Sequence, residues 1–368
     1  MIVFLSLVGF IQVFAADHIL YGEDNRVDIF KSKNLTVMKQ SKAVAAQVSD
    51  FHLQENDEGD YSLLPGFLLS TPIGTNVCTD EKYAMQPTVS SCTGFLVAED
   101  LLVTAGHCVT SKDEVKDVQT EDCKNGKWLF DYYAFNNNVS AKSVSKDRIY
   151  KCEKVVHAST KDGADFAIIK LDRKVKGRTP LTMSEHKSLA SDEVYAIGTP
   201  SGLPLKMTDH AFIKSIDKDG SLHTNLDTFG GNSGSPIFDK VSGEVVGILV
   251  KGEADYHPDF GKNGQVCMRP NRCDEKGENC SIDKKFYVQV LLEFIQSDEV
   301  FPHYKAAEVV SFDVSGNLIH LELSGGELLE QKNYKIRFEE RERPDYPSEV
   351  GTSIQKVLKL IRPTPPLA

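Results

Sequence analysis

The sequence predicts an all-β protein of the sandwich or barrel class. Three observations carry the prediction. Apolar runs of four to seven residues, rich in Val, Ile and Phe, recur between Gly, Pro and Asp turn signals: Gly94–Ala98, Leu101–Ala105, Phe166–Leu171, Val194–Ile197, Ser235–Phe238 and Val245–Val250. Helical spacing is convincing only near Tyr287–Ile295, where Val288, Leu291, Leu292 and Ile295 share a face. And 40% of the 368 residues are apolar, enough to fill a sizeable core and to exclude disorder of the whole chain. That length is a prior for about two domains, or for one large β domain with an appendage.

The elements follow in order. Ile2 to Ala15 is apolar except for Ser6, Gly9 and Gln12, and Val13-Phe14-Ala15 or Phe14-Ala15-Ala16 supplies a small-residue cleavage site. Residues 1–16 are therefore read as a removed signal peptide, although no Lys or Arg follows Met1 as such a leader should have. No later stretch approaches the roughly 18 apolar residues of a membrane span. A secreted or periplasmic protein is expected, and eight cysteines agree with an oxidising compartment. Asp217-Lys218-Asp219-Gly220 between Phe212–Ile216 and Leu222–Thr224 reads as a hairpin turn; the later ligands of a calcium loop are missing. Residues 17–297 form the expected main domain. Residues 298–368 form a small β-rich extension of three alternating runs, Val309–Val314, Leu318–Leu323 and Tyr334–Phe338, expected to pack one face on that domain.

Charge narrows the partners. Lys and Arg number 42 against 53 acids, a net charge of −11, the wrong sign for general nucleic-acid binding. The oligomeric state is not readable.

Three segments carry chemistry, in a meaningful order. Thr104-Ala105-Gly106-His107-Cys108 places a histidine just after an apolar run, Asp165-Phe166-Ala167-Ile168-Ile169 places an aspartate before another, and Gly230-Gly231-Asn232-Ser233-Gly234-Ser235-Pro236 holds a serine in a glycine-rich turn. A serine hydroxyl attacks a peptide carbonyl only if a base takes its proton and a carboxylate orients that base. His107 is the candidate base, Asp165 its partner and Ser233 the nucleophile, with the Gly231 and Ser233 amides aimed at the developing oxyanion. Taken singly, the histidine reads as a surface residue, the aspartate as a strand-start acceptor and the glycines as a turn. The conjunction reverses this. Position 235 is serine and the histidine comes first, so the Gly-x-Ser-x-Gly hydrolase fold is rejected.

These segments resemble those of the chymotrypsin-fold (trypsin-like) serine endopeptidases. More narrowly they are similar to the exported bacterial branch related to the glutamyl endopeptidases, on Gly-Asn-Ser-Gly-Ser-Pro and on Leu20-Tyr21-Gly22-Glu23-Asp24-Asn25-Arg26. The resemblance covers roughly residues 19–297. It implies a double β-barrel chymotrypsin-like fold with a C-terminal helix, to which the small β extension is added. It also implies a histidine-loop disulfide between Cys92 and Cys108, which on the chain-entropy model contributes about 3 kcal/mol. Cys123 with Cys152 follows only by elimination, and Cys78, Cys267, Cys273 and Cys280 leave three pairings open. Their spacing lacks the Cys-x2-Cys knuckle of a zinc site, so no metal is expected; no organic cofactor is expected either.

The same resemblance makes Asp227, six residues before Ser233, a candidate base of the primary specificity pocket, where a free carboxylate selects Arg or Lys; the competing reading is an aspartate that does not face substrate. Thr228 lines the same segment, and Val250-Lys251-Gly252 edges the pocket and offers backbone to an extended peptide. The strand after the nucleophile lacks the histidine of glutamyl endopeptidases. Asn232 stands where trypsin-like zymogens place the aspartate that pairs with a freed N-terminus, so activation by loss of the leader, or by trimming before about Ser49, stays open. The substrate expected is a protein or peptide. A rival reading keeps the scaffold as a binding or assembly protein acting through the edges of the C-terminal strands, and a third lets the extension regulate or tether an active protease.

Overall fold

The computed structural model describes residues 12–16, 20–57, 60–63, 68–71, 75–135, 139–140, 143–161, 163–185, 187–218, 220–252, 255–260 and 266–275, and the strand backbones 287–294, 308–315, 318–324 and 334–341. The chain forms two compact units, Met1–Asp259 with Cys267–Ser281, and Phe260–Val266 with Ile282–Ala368.

The first unit holds the predicted double barrel. One seven-stranded sheet runs Gly126–Phe130, Val44–Ser49, Ser90–Leu96, Leu101–Thr104, Phe166–Leu171, Ile149–Ser159 and Glu114–Val118. Pairing of Leu129 with Ile149 returns Gly126–Phe130 to Ile149–Ser159, so six of these strands close into a ring. A second sheet runs Glu193–Gly198, Pro236–Asp239, Val245–Lys251, Gln12–Ala16, Leu222–Thr224, Lys206–Ile216 and Arg26–Asp28, and closes where Glu193–Gly198 pairs with Lys206–Ile216. The first five apolar runs and the last all lie in these strands, because both faces of most of them are covered. Val194 and Ala196 point into the second barrel with Ile237 and Leu249. Tyr195, Ile197, Phe238 and Ile248, one residue out of phase, face the other way and join Phe95, Leu96, Trp128 and Val155 in the larger core cluster. A strand buried on both sides reads as a continuous apolar run rather than an alternation.

Gln12–Ala16, the end of the expected leader, lies parallel to both Leu222–Thr224 and Val245–Lys251. Removal of the leader would take this strand out of the second ring.

The expected C-terminal helix is replaced by a strand, Tyr287–Phe294, paired antiparallel with Tyr334–Arg341. The apolar stripe at helical spacing coexists with apolar residues at every second position, Val288, Val290, Leu292 and Phe294, and the two β-branched valines among them go with the strand. Glu308–Ser315 and Leu318–Ser324 form a hairpin, so, among the described residues, 298–368 hold three strands, at the three alternating runs of the sequence. Among the described residues no helix is long and apolar enough to cross a membrane.

Candidate active site

The register of the first barrel builds half of the site. Ala167 pairs with Thr104 in antiparallel strands, so the residues before one strand and after the other come face to face. Asp165 therefore meets the short turn Gly106–Cys108. Its Oδ2 lies 2.7 Å from His107 Nδ1 and its Oδ1 accepts the His107 backbone N–H at 3.0 Å. One carboxylate thus holds both the ring and the backbone of His107, leaving Nε2 for other work. Gly106 has a steric reason: a Cβ there would stand 2.7 Å from Ser159 O and 3.0 Å from Asp165 Oδ1. The His107 side chain is 44% exposed, as a base that meets substrate must be.

The second barrel supplies the serine turn. Gly231 and Gly234 sit at φ +89° and +85°, where a side chain is strained. A Cβ on Gly231 would lie 2.5 Å from Thr199 O, and one on Gly234 2.1 Å from Thr93 O. The turn is held from several sides: Asn232 N–H donates to Phe229 O, Gly234 N–H to Leu249 O and Thr93 N–H to Ser233 O at 3.0, 2.6 and 2.8 Å. The hydroxyls of Thr93 and Thr199 both donate to Gly231 O at 2.9 and 2.8 Å, and Asp255 Oδ2 accepts Gly230 N–H at 2.8 Å. Neither the Gly231 nor the Ser233 N–H takes part in a hydrogen bond among the described residues, which suits two donors that await an oxyanion.

The two halves meet at their backbones. Ser233 O lies 3.8 Å from Cys108 Sγ, and Gly234 packs against Thr104 and Ala105. No hydrogen bond between Ser233 Oγ and His107 is present among the described residues; such bonds commonly tighten only with substrate bound. Cys92 and Cys108 are joined by a disulfide that ties His107's neighbour to the strand carrying Thr93. Cys123–Cys152 and Cys78–Cys267 are also bonded, while Cys280 lies outside the described residues.

Of the two readings of Asp227, its surroundings fit the aspartate that does not face substrate. Asp227 is buried, and both its oxygens are taken by backbone: Oδ1 accepts Tyr21 N–H at 2.7 Å and Oδ2 accepts Asn25 N–H at 2.6 Å. Burial pushes its pKa up to about 6 against the pull of those two N–H groups. It is not a free carboxylate at a pocket floor. Thr228 is buried beside it, Val250 is buried at the end of its strand, and Lys251 is exposed, with Gly252 following. His223 pairs with Asp217 across the predicted hairpin at 2.8 Å. Thr93, Thr199 and Asp255 had no signal in the sequence, since hydroxyl-to-backbone and carboxylate-to-backbone bonds depend on partners far along the chain.

Residues 92–248 match the family model of the trypsin-like peptidase domain. The chain is also 27% identical over 203 residues, 51% of its length, to the "Extracellular metalloprotease" of Bacillus subtilis (strain 168). The chain spans 59% of the length of that curated relative. Among solved structures the chain is similar to a Glu endopeptidase in complex with MPD, at 17% identity and a TM-score of 0.37 over 71% of this chain and 94% of that one. It is also similar to the active form of the Rv3671c protease from M. tuberculosis, at 15% identity and a TM-score of 0.34 over 71% and 84%.

Among the described residues the trios of suitable metal donors are Cys92, His107 and Cys108, and Cys78, Asp259 and Cys267. In each, the two sulfurs are bonded to one another, so neither is the thiolate that a metal requires. These residues do not fit a metal.

Proposed function

We propose that the chain is an exported serine endopeptidase in which Ser233, His107 and Asp165 act as a triad. Ser233 Oγ attacks the carbonyl carbon of the scissile bond while His107 Nε2 takes its proton. The carbonyl oxygen becomes an oxyanion between the Gly231 and Ser233 amides. His107 then hands the proton to the leaving amine, and water, activated by the same imidazole, hydrolyses the acyl-enzyme. Asp165 holds the imidazole in the tautomer that keeps Nε2 free for this proton. The observation that carries the reading is the pair of hydrogen bonds that Asp165 accepts from His107 N and Nδ1, on a turn packed against the backbone of Ser233.

Export is supported by the disulfides, which persist in oxidising compartments, and by the apolar leader. Selection of Arg or Lys by Asp227 is not part of the proposal, because its carboxylate is already engaged by Tyr21 and Asn25. The test is Ser233→Ala against a peptide library with products read by mass spectrometry. Loss of all hydrolysis in a folded variant is expected; undiminished cleavage rejects the proposal. The wild-type products report the side-chain preference in the same run.

A further inference from the structure

The segment that follows the leader does more than lead into the first barrel. Leu20–Tyr21 pairs with Arg272–Cys273, and Arg26–Asp28 pairs with Lys206–Thr208 on the edge of the second barrel. Between these two anchor points the chain arches over Asp227. Its Tyr21 and Asn25 N–H groups supply the two bonds to that carboxylate. Immediately after, the Arg26 guanidinium lies 4.2 Å from the centre of the Phe229 ring, and Arg26 is itself fixed by Asp24 through bonds of 2.9 and 2.7 Å. Tyr83 OH donates to Arg26 O at 2.5 Å and Lys82 Nζ to Asp24 O at 2.9 Å, locking the arch from the outside. The segment thus grips positions 227 and 229, and Gly230-Gly231-Asn232-Ser233 follows at once.

We infer that residues 20–28 are a strap that positions the serine turn, and that Asp227 is its anchor and a positioning residue, not a residue that reads substrate. The geometry favours this over a substrate-binding role on two counts. The carboxylate is buried with both oxygens bonded to backbone N–H groups, and the Arg26 cation already occupies the adjoining face of Phe229, where a substrate cation would meet like charge. The turn it holds must present two amides and a hydroxyl within a few tenths of an ångström, and a displacement of about 1 Å costs about a hundredfold in rate. Trimming of the chain up to Ser49 would remove the strap, so the strap also limits how far processing of the N-terminus can go.

The inference rests on the triad reading, and its test is expressed relative to wild type: failure of the wild-type protein to label at Ser233 would sink the triad reading, not the strap. The test compares Asp227→Asn with wild type by the rate of labelling with a small fluorophosphonate, normalised to the folded fraction from urea unfolding. It also compares kcat and KM on peptides with Arg, Glu or Leu before the scissile bond. A strap predicts that labelling falls at least tenfold and that kcat falls by the same factor on all three peptides, with the ratios between them unchanged. A loss confined to the Arg peptide with labelling unchanged would overturn the inference in favour of a pocket carboxylate. Unchanged labelling per folded molecule, with only the urea midpoint lowered, would also overturn it. Should Asp227→Asn not fold, Asn25→Pro removes one N–H from the strap and leaves the carboxylate in place. At least a threefold fall in labelling is expected there, and wild-type labelling by the folded variant would count against the strap.

Discussion

Gly234→Ala probes the seam where the two barrels bring the proposed triad together. A Cβ at this position would stand 2.1 Å from Thr93 O, 2.3 Å from Thr104 Oγ1 and 2.8 Å from Ala105 N. Two of the three atoms are backbone, at Thr93 within a strand of the first barrel and at Ala105 just after the next one, so no rotamer change relieves the overlap. The φ of +85° adds strain of its own. Strain at such a position costs about 1–3 kcal/mol and overpacking about 1–3 kcal/mol, giving about 2–6 kcal/mol in all. The alternative for the chain is to shift the turn outward by about 1 Å, which breaks the Thr93 N–H bond to Ser233 O and withdraws the nucleophile from His107, at about a hundredfold in kcat. The assay pairs urea unfolding with kcat per folded molecule. Either the stability or the rate must fall by these amounts. Loss of less than about 1 kcal/mol together with a kcat within about twofold of wild type would refute the packing argument, since ordinary substitutions away from such seams already span that range.

Asp165→Asn should lower kcat by about 10^4 with little change in KM, because an amide cannot fix the same imidazole tautomer; steady-state kinetics checks it. Lys206→Met should destabilise by about 3–5 kcal/mol in urea unfolding, since Lys206 and Asp28 are a fully buried pair at 2.9 Å and the variant leaves the carboxylate to Gln86 Nε2 at 3.3 Å and the half-exposed Lys31 Nζ at 3.9 Å. The pH dependence of stability carries the sign of Asp227. Its folded pKa of about 6 exceeds the unfolded value of 3.8, so the native state binds the extra proton and its contribution is present below pH 3.8 and lost as the pH rises through 6. Wild type should therefore lose about 3 kcal/mol relative to Asp227→Asn between those limits, measured as the difference of their urea free energies at each pH.

The strands were legible because burial on both faces writes apolar runs into the sequence, as Val194–Ile197 and Val245–Val250 show. The segments of the proposed triad were legible because each is a short local motif at a strand end, and the register of Phe166–Leu171 against Leu101–Thr104 then brings Asp165 to His107. Asp227 was legible as a position but not as a role: its partners lie 206 and 202 residues away, and spacing carries no record of them. The charges around it were hidden for the same reason. Asp28 and Lys206 are each about 1% exposed and pair with one another, a partnership that only the fold supplies. At Tyr287–Phe294 two periodicities share the same apolar residues, and the choice between helix and strand depends on the pairing with Tyr334–Arg341.

The most direct measurement is the site of covalent modification by a fluorophosphonate, located by peptide mass spectrometry in wild type and in His107→Ala. One adduct per molecule, on Ser233, formed rapidly in wild type and lost when the imidazole is removed, is the predicted result. A protein that cleaves peptides yet carries no adduct, or carries it on another residue, would contradict the account.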